Sequence, residues 1–141
     1  MARIKLDLPE VFEFSFELSV RISDINYGGH LGNDAVLALL NEARIKFLAQ
    51  HGFTEMDIGG VGLIMANAVI QYKSQAFHND RLLIEVAVCN VGRHGCDFAY
   101  RISNKETGKE IVRSTTGIVF FDYSRNKVAE VPEKFRALFV K

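Results

Sequence analysis

Three side chains able to do acid–base or hydrogen-bond chemistry, Asp24, Asn26 and His30, lie close together among Gly28, Gly29 and Gly32, in the stretch Asp-Ile-Asn-Tyr-Gly-Gly-His-Leu-Gly-Asn-Asp that ends at Asp34. A carboxylate or an imidazole can take a proton from water or attack an electrophile, whereas an amide can only bind and orient. Glycines beside such groups let the backbone turn sharply and come close to a ligand. The stretch is therefore the candidate functional centre. Each residue also has a structural reading: an Asp caps a turn through its own backbone, an Asn tolerates left-handed backbone, and a His packs half-buried. His30 is favoured as a site residue because it sits between glycines, and imidazole is the side chain whose ordinary titration lies closest to neutral pH.

The flanking segments must hold this stretch in place. Before it, Phe12, Phe14, Phe16, Leu18, Val20 and Ile22 alternate with Val11, Glu13, Ser15, Glu17, Ser19 and Arg21, which predicts one long half-buried strand. After it, Val36, Leu37, Leu40, Ala43, Phe47 and Leu48 recur at helical spacing, with Asn33 or Asp34 as N-cap and Gly52 as the stop. Asn41, Glu42, Arg44, Lys46 and Gln50 are the polar remainder of that helix. Glu42 can pair with Lys46 one turn on, a purely structural role.

Further along, residues 63–76, 81–91, 96–104 and 109–122 read as four strands separated by turn-forming stretches, predicting a four-strand meander, and Pro132 opens a short final helix over 133–140. The expected class is α+β, a five-stranded antiparallel sheet with one long helix on one face. That helix hides only one face. The strand positions Phe98, Tyr100 and Ile102, or Val119 and Phe121, therefore predict association into a homo-oligomer.

Length and composition narrow the function classes. A chain of 141 residues is expected to form one domain over 1–141. Seventeen basic residues balance seventeen acidic ones, which gives no basic field for nucleic acid. No apolar run approaches the length of a membrane helix, and Met1–Glu10 holds no apolar signal core, so the expected compartment is the cytoplasm. Cys89 and Cys96 read as small core residues rather than a disulfide, and no metal-ligand spacing or cofactor motif occurs.

The run from Val20 to Asn33, with the helix segment Asn41-Glu42-Ala43-Arg44, resembles the start of hotdog-fold acyl-CoA thioesterases of the 4-hydroxybenzoyl-CoA thioesterase class. The pattern of that family is a strand ending in Asp-x-Asp-x-x-Gly-His-x-x-Asn, then a helix carrying Glu-x-Ala-Arg. The resemblance implies a sheet wrapped around the long helix, dimers that pair sheets edge to edge, frequent tetramers, and acyl-thioester sites at subunit interfaces. Asp24, Gly29, His30, Asn33 and Glu42 fall on family positions, but Asn26 stands where many members carry the catalytic carboxylate. A related pattern, that of acyl-carrier-protein thioesterases, is matched only by His30 and Glu42. The family often places basic residues for carrier phosphates in the turn that here holds Arg93 and His94, with Lys73 and Arg113 as alternatives, and Ser114, Thr115 and Thr116 are candidates to line the groove.

Thioester hydrolysis needs a group that polarises the carbonyl, and the free N–H groups at the helix start, around residues 33–35, supply one. Asp24 or His30 would activate water, Asn26 would bind it or the carbonyl, and Glu42, roughly 12 to 14 Å along the helix axis, would support from a distance. Gly29, Asn33, Arg93 and His94 are the expected substrate contacts. The substrate would be a thioester of coenzyme A or of an acyl carrier protein. Two other classes fit the same residues: a module that binds acyl thioesters without turnover, since an amide is no base, and a dehydratase that uses His30 and Glu42 on a hydroxyacyl thioester.

Overall fold

The computed structural model describes residues 5–140; residues 1–4, the start of the N-terminal stretch considered above, and residue 141 lie outside it. Strand β1 spans Phe14–Ser19 and helix α1 Asn33–Gln50, followed by β2 Gly62–Tyr72, β3 Arg81–Cys89, β4 Gly95–Asn104, β5 Glu110–Asp122, the two-residue β6 Lys127–Val128 and α2 Glu133–Phe139. The sheet runs β1-β3-β4-β5-β2 with every pairing antiparallel, and β6 adds to β5. This is the hotdog arrangement that the resemblance implies.

The meander is shorter than predicted. Only β3, β4 and β5 follow one another in space, because β2 pairs with β5 at the far edge. The link over residues 73–80 is too long for a tight hairpin and instead carries the chain across the sheet to β3, beside β1. Its path is pinned where the Leu31 N–H donates to the Ala76 carbonyl at 2.7 Å and the Val20 N–H to the Asp80 carbonyl at 2.9 Å. The first strand is shorter too: β1 stops at Ser19, and a 3-10 turn over Ile22–Asp24 leaves Ile22 71% exposed instead of inward. The Asp24 carboxylate causes this break by accepting the Arg21 N–H at 2.9 Å.

The core lies between α1 and the sheet. Phe47 meets Phe14, Phe98 and Phe139 at centroid distances of 5.8, 5.9 and 5.5 Å. Phe98, Tyr100 and Ile102 are fully buried on this side, so they are not the surplus apolar face expected from the sequence. The opposite face is polar, with Arg101 paired to Glu85 and Arg81 to Glu17. The N-terminal segment lies across that face: Arg113 donates to the Leu6 carbonyl at 2.9 Å, and the Phe12 ring stacks over Arg101 at 4.9 Å. Helix α2 closes the end of the core with Phe135 and Phe139, 4.7 Å apart.

Arg44, assigned from the sequence to the polar face of α1, is buried at 3% exposure. It donates to the Tyr100 hydroxyl at 3.1 Å and to Asn41 Oδ1 at 2.8 Å, and it faces Glu55 at 3.4 Å. Thr116 in turn contacts the Tyr100 hydroxyl at 2.9 Å, while Ser114 donates to the Val69 carbonyl at 2.7 Å. Ser114 and Thr116 are thus fully buried bonding partners within the sheet and core, not groove-lining residues. A buried charge is tolerated here because most of its donors find acceptors; only Nε has none.

Candidate active site

The chain between β1 and α1 folds into a closed turn. Asn26 and His30 face each other: the Asn26 N–H donates to the His30 carbonyl at 2.8 Å. The side-chain oxygen of Asn26 accepts from the N–H groups of Gly28, at 2.9 Å, and of His30, at 3.3 Å. Gly29 adopts φ of +82°, which glycine takes without strain. Short bridges tie Ile25 to Leu31 and His30 to Phe77, so the turn is held both within itself and to the crossing link. The His30 ring is half-buried with its edge against Phe77, 5.3 Å between centroids. Among the described residues its ring nitrogens have no hydrogen-bond partner.

Asp24 is committed. The guanidinium of Arg21 donates to Oδ2 at 3.2 Å and to Oδ1 at 3.0 Å, in addition to the backbone bond. Burial pushes this carboxyl up, but the hydrogen bonds from the Arg21 side chain and backbone, with its charge, outweigh burial and leave it below the ordinary carboxylate value. Both oxygens are occupied, which makes Asp24 a poor proton acceptor. The alternating pattern marks Arg21 only as an outward strand position; the signal for its role is the Arg-x-x-Asp spacing at the end of a strand.

Helix α1 begins one residue earlier than a side-chain cap would place it. Gly32 is the N-cap, with no side-chain cap bond, so neither Asn33 nor Asp34 plays the part expected. The Gly32 carbonyl accepts from Ala35 and Val36, and its N–H donates to the Asp24 carbonyl at 2.9 Å. The N–H groups of Asn33 and Asp34 are left without an acceptor among the described residues, while Ala35 is used. Gly32 is buried because side chains crowd it: a Cβ there would lie 2.5 Å from Asp34 Oδ1 and 3.5 Å from Asn26 Cβ. Asn33 itself is exposed, and its carbonyl accepts from the Tyr72 hydroxyl at 3.2 Å.

Glu42 lies away from this turn, in a groove of about 690 Å³ between α1 and β1 whose walls include Phe16, Leu18, Leu39, Ile45 and Arg21. It forms no ion pair with Lys46, whose ammonium sits 5.7 Å over the Phe16 ring. Arg21 therefore stands between the turn and the groove, holding Asp24 while lining the cavity that holds Glu42.

Arg93 and His94 are not brought to the turn. They border a separate depression with Asn67 and Asp97, and Arg93 is paired to Glu130 at 2.8 Å. Of the alternatives, Arg113 is tied to Glu110 and Leu6, and Lys73 is exposed. Among the described residues no group of three or more His, Cys, Asp or Glu side chains could hold a metal ion, and no helix is long and apolar enough to cross a membrane.

The fold has close counterparts. The family model described as thioesterase-like superfamily matches residues 20–139. The chain is similar to a 1,4-dihydroxy-2-naphthoyl-CoA hydrolase of Synechocystis, 25% identical over 126 residues that cover 87% of this chain and 91% of that protein. The crystal structure of a Synechocystis 1,4-dihydroxy-2-naphthoyl-CoA thioesterase superposes with a TM-score of 0.80 at 24% identity, covering 88% of this chain and 93% of that one. A gentisyl-coenzyme A thioesterase superposes with a TM-score of 0.77 at 18% identity, covering 87% and 99%.

Proposed function

This chain belongs to the thioesterase-like superfamily, and on that premise we propose that it hydrolyses a thioester of coenzyme A, or of an acyl carrier protein, to a carboxylic acid and a free thiol. The observation that carries this reading is that the turn closed by Asn26 and His30 leads straight into the start of α1, with Asn26 Cβ beside the N-cap Gly32, where the N–H groups of Asn33 and Asp34 have no acceptor. A carbonyl oxygen seated on those two donors would be polarised, and the oxyanion that forms when water attacks would be held by the same pair and by the positive end of the helix.

The steps follow from what each group can do. Water bonds to the carbonyl carbon, the tetrahedral intermediate collapses with loss of the carbon–sulfur bond, and the proton lost by the water ends on the leaving sulfur. The side-chain oxygen of Asn26 is used inside the turn, so its NH₂ is the end available to orient the water. His30, with its ring nitrogens unoccupied, hands a proton to sulfur in this reading. Asp24 fixes the turn through Arg21, and Glu42 lines the groove along α1 that takes the acyl portion.

The protein acts in the cytoplasm as one domain over residues 1–141 and as a homo-oligomer, with the β2 edge as the surface of pairing into dimers or tetramers. Support comes from β2 itself: it is an edge strand, eleven residues long, and its sequence GLIMANAVIQY holds no charge and no proline. Charge and proline are among the devices that keep edge strands single.

The direct test is the purified protein assayed for thiol release against a panel of aliphatic and aromatic acyl-CoAs. Cleavage of at least one, reduced about 10²- to 10⁴-fold by His30→Ala, is expected; no cleavage of any acyl-CoA or acyl carrier thioester would sink the proposal. One observation favours a second reading, binding without turnover: an amide stands at position 26. Calorimetry that detects tight acyl-CoA binding in a protein that cleaves nothing would establish it.

A further inference from the structure

The proposed reaction needs a group to take the proton from the attacking water, and the turn offers few. Asn26 has none to give or take, Asp24 spends both oxygens on Arg21, and Glu42 opens onto the groove beyond. One carboxylate is left beside the turn. Resting on the thioesterase reading, we infer that Asp34 is the catalytic carboxylate, brought beside Asn26 at the space where Gly32 lacks a side chain.

The packing around Gly32 carries this. The point where a Cβ would sit on that residue lies 2.5 Å from Asp34 Oδ1 and 3.5 Å from Asn26 Cβ, so the carboxylate and the amide side chain converge on the space that the missing side chain leaves. Gly32 is buried although it has no side chain of its own, because these neighbours cover it. An alanine at 32 could not coexist with this rotamer of Asp34; the glycine is what admits the carboxylate. Asp34 itself is exposed, and among the described residues it has no cation or N–H donor on its oxygens. It is thus an acceptor free to meet water, unlike Asp24.

The consequences for the reaction are specific. Asp34 takes one proton from the water as its oxygen bonds to the carbonyl carbon. Protonated His30 gives a proton to sulfur as the carbon–sulfur bond breaks. The proton then passes from Asp34 to His30 through solvent, which restores both groups and leaves carboxylic acid and thiol as the only products. The amide at 26 and the acid at 34 are a division of labour, one orienting and one accepting, that a single carboxylate could otherwise perform.

An acid in the first turn of a helix also steadies that helix, so the test has to separate chemistry from stability. Asp34→Asn and Asp34→Ser are both compatible with a helix start, and urea unfolding is the check that they fold. Activity of the unaltered protein tests the thioesterase reading alone. Given that activity, Asp34→Asn is expected to lower kcat about 10²- to 10⁴-fold with little change in KM, and to remove the acid limb of the kcat/KM profile. Asn26→Asp in the Asp34→Asn background is expected to restore part of the rate by returning a carboxylate to the same glycine. A folded Asp34→Asn protein that keeps its rate within about twofold, or one whose pH profile retains the acid limb, overturns the assignment while leaving thioester hydrolysis intact.

Discussion

Arg44, on the middle of α1, reaches across the core to Tyr100, on the central strand β4, and its Nη1 donates to the phenol oxygen at 3.1 Å. Burial pushes the Tyr100 phenol up in spite of the Arg44 charge, so it stays an uncharged acceptor. Tyr100→Phe would leave the guanidinium with one more buried donor unmatched. The expected cost is about 1–3 kcal/mol in urea unfolding, with thioester cleavage per folded molecule unchanged. A variant as stable as the parent would show that the bond contributes nothing.

The Arg21–Asp24 pair makes stability depend on acid. The Asp24 carboxyl lies lower in the folded chain than in the unfolded one, so its contribution is complete above the ordinary carboxylate value and fades as pH falls toward the folded value. Arg21 is mostly exposed, and solvent screening keeps that contribution small. Asp24→Asn is therefore expected to be the slightly less stable protein at neutral pH, with the gap narrowing at a pH below the ordinary carboxylate range. Chemical unfolding at both pH values decides this, and a constant gap would contradict it.

Gly29 and Gly32 are needed for different reasons, and alanine distinguishes them. At Gly29 a methyl group would meet nothing within 4 Å, so the penalty is the left-handed backbone alone, about 1–2 kcal/mol, and Gly29→Asn is expected to cost less than Gly29→Ala. At Gly32 the backbone is ordinary and the obstacle is the Asp34 carboxylate. Gly32→Ala should therefore cost activity more than stability, read as kcat beside the thermal midpoint.

Cys96 is buried and its thiol is pushed up to about 12, chiefly by burial with a smaller part from Asp97. It should resist thiol reagents at about pH 8 until the chain unfolds, whereas half-buried Cys89 labels first. Mass spectrometry of partly labelled protein reads the order directly.

Much of this fold is legible in the sequence because its elements repeat locally. The alternation around Phe14, Phe16 and Leu18 and the helical spacing of Leu40, Ala43 and Phe47 follow from burial on one side. The partner of β2 is not legible, since a strand has two edges and residues 73–80 can either turn back or cross over. Arg44 escapes for a similar reason: periodicity assigns a cation to solvent unless a partner is visible, and Tyr100 is 56 residues away. In the site, the turn is readable from its glycines and polar residues. The loss of Asp24 to Arg21, and the approach of Asp34 to Gly32, depend on rotamers that spacing does not encode.

The N-terminal segment described above, with Leu6 held by Arg113 and Phe12 laid over Arg101, rests on the face of the sheet that points away from α1. The chain is thereby given a natural handle. A linker attached to this segment at Leu6 or Phe12 would emerge behind the sheet, and an immobilised sample would present α1, its groove and the 24–34 turn outward to substrate in the flow.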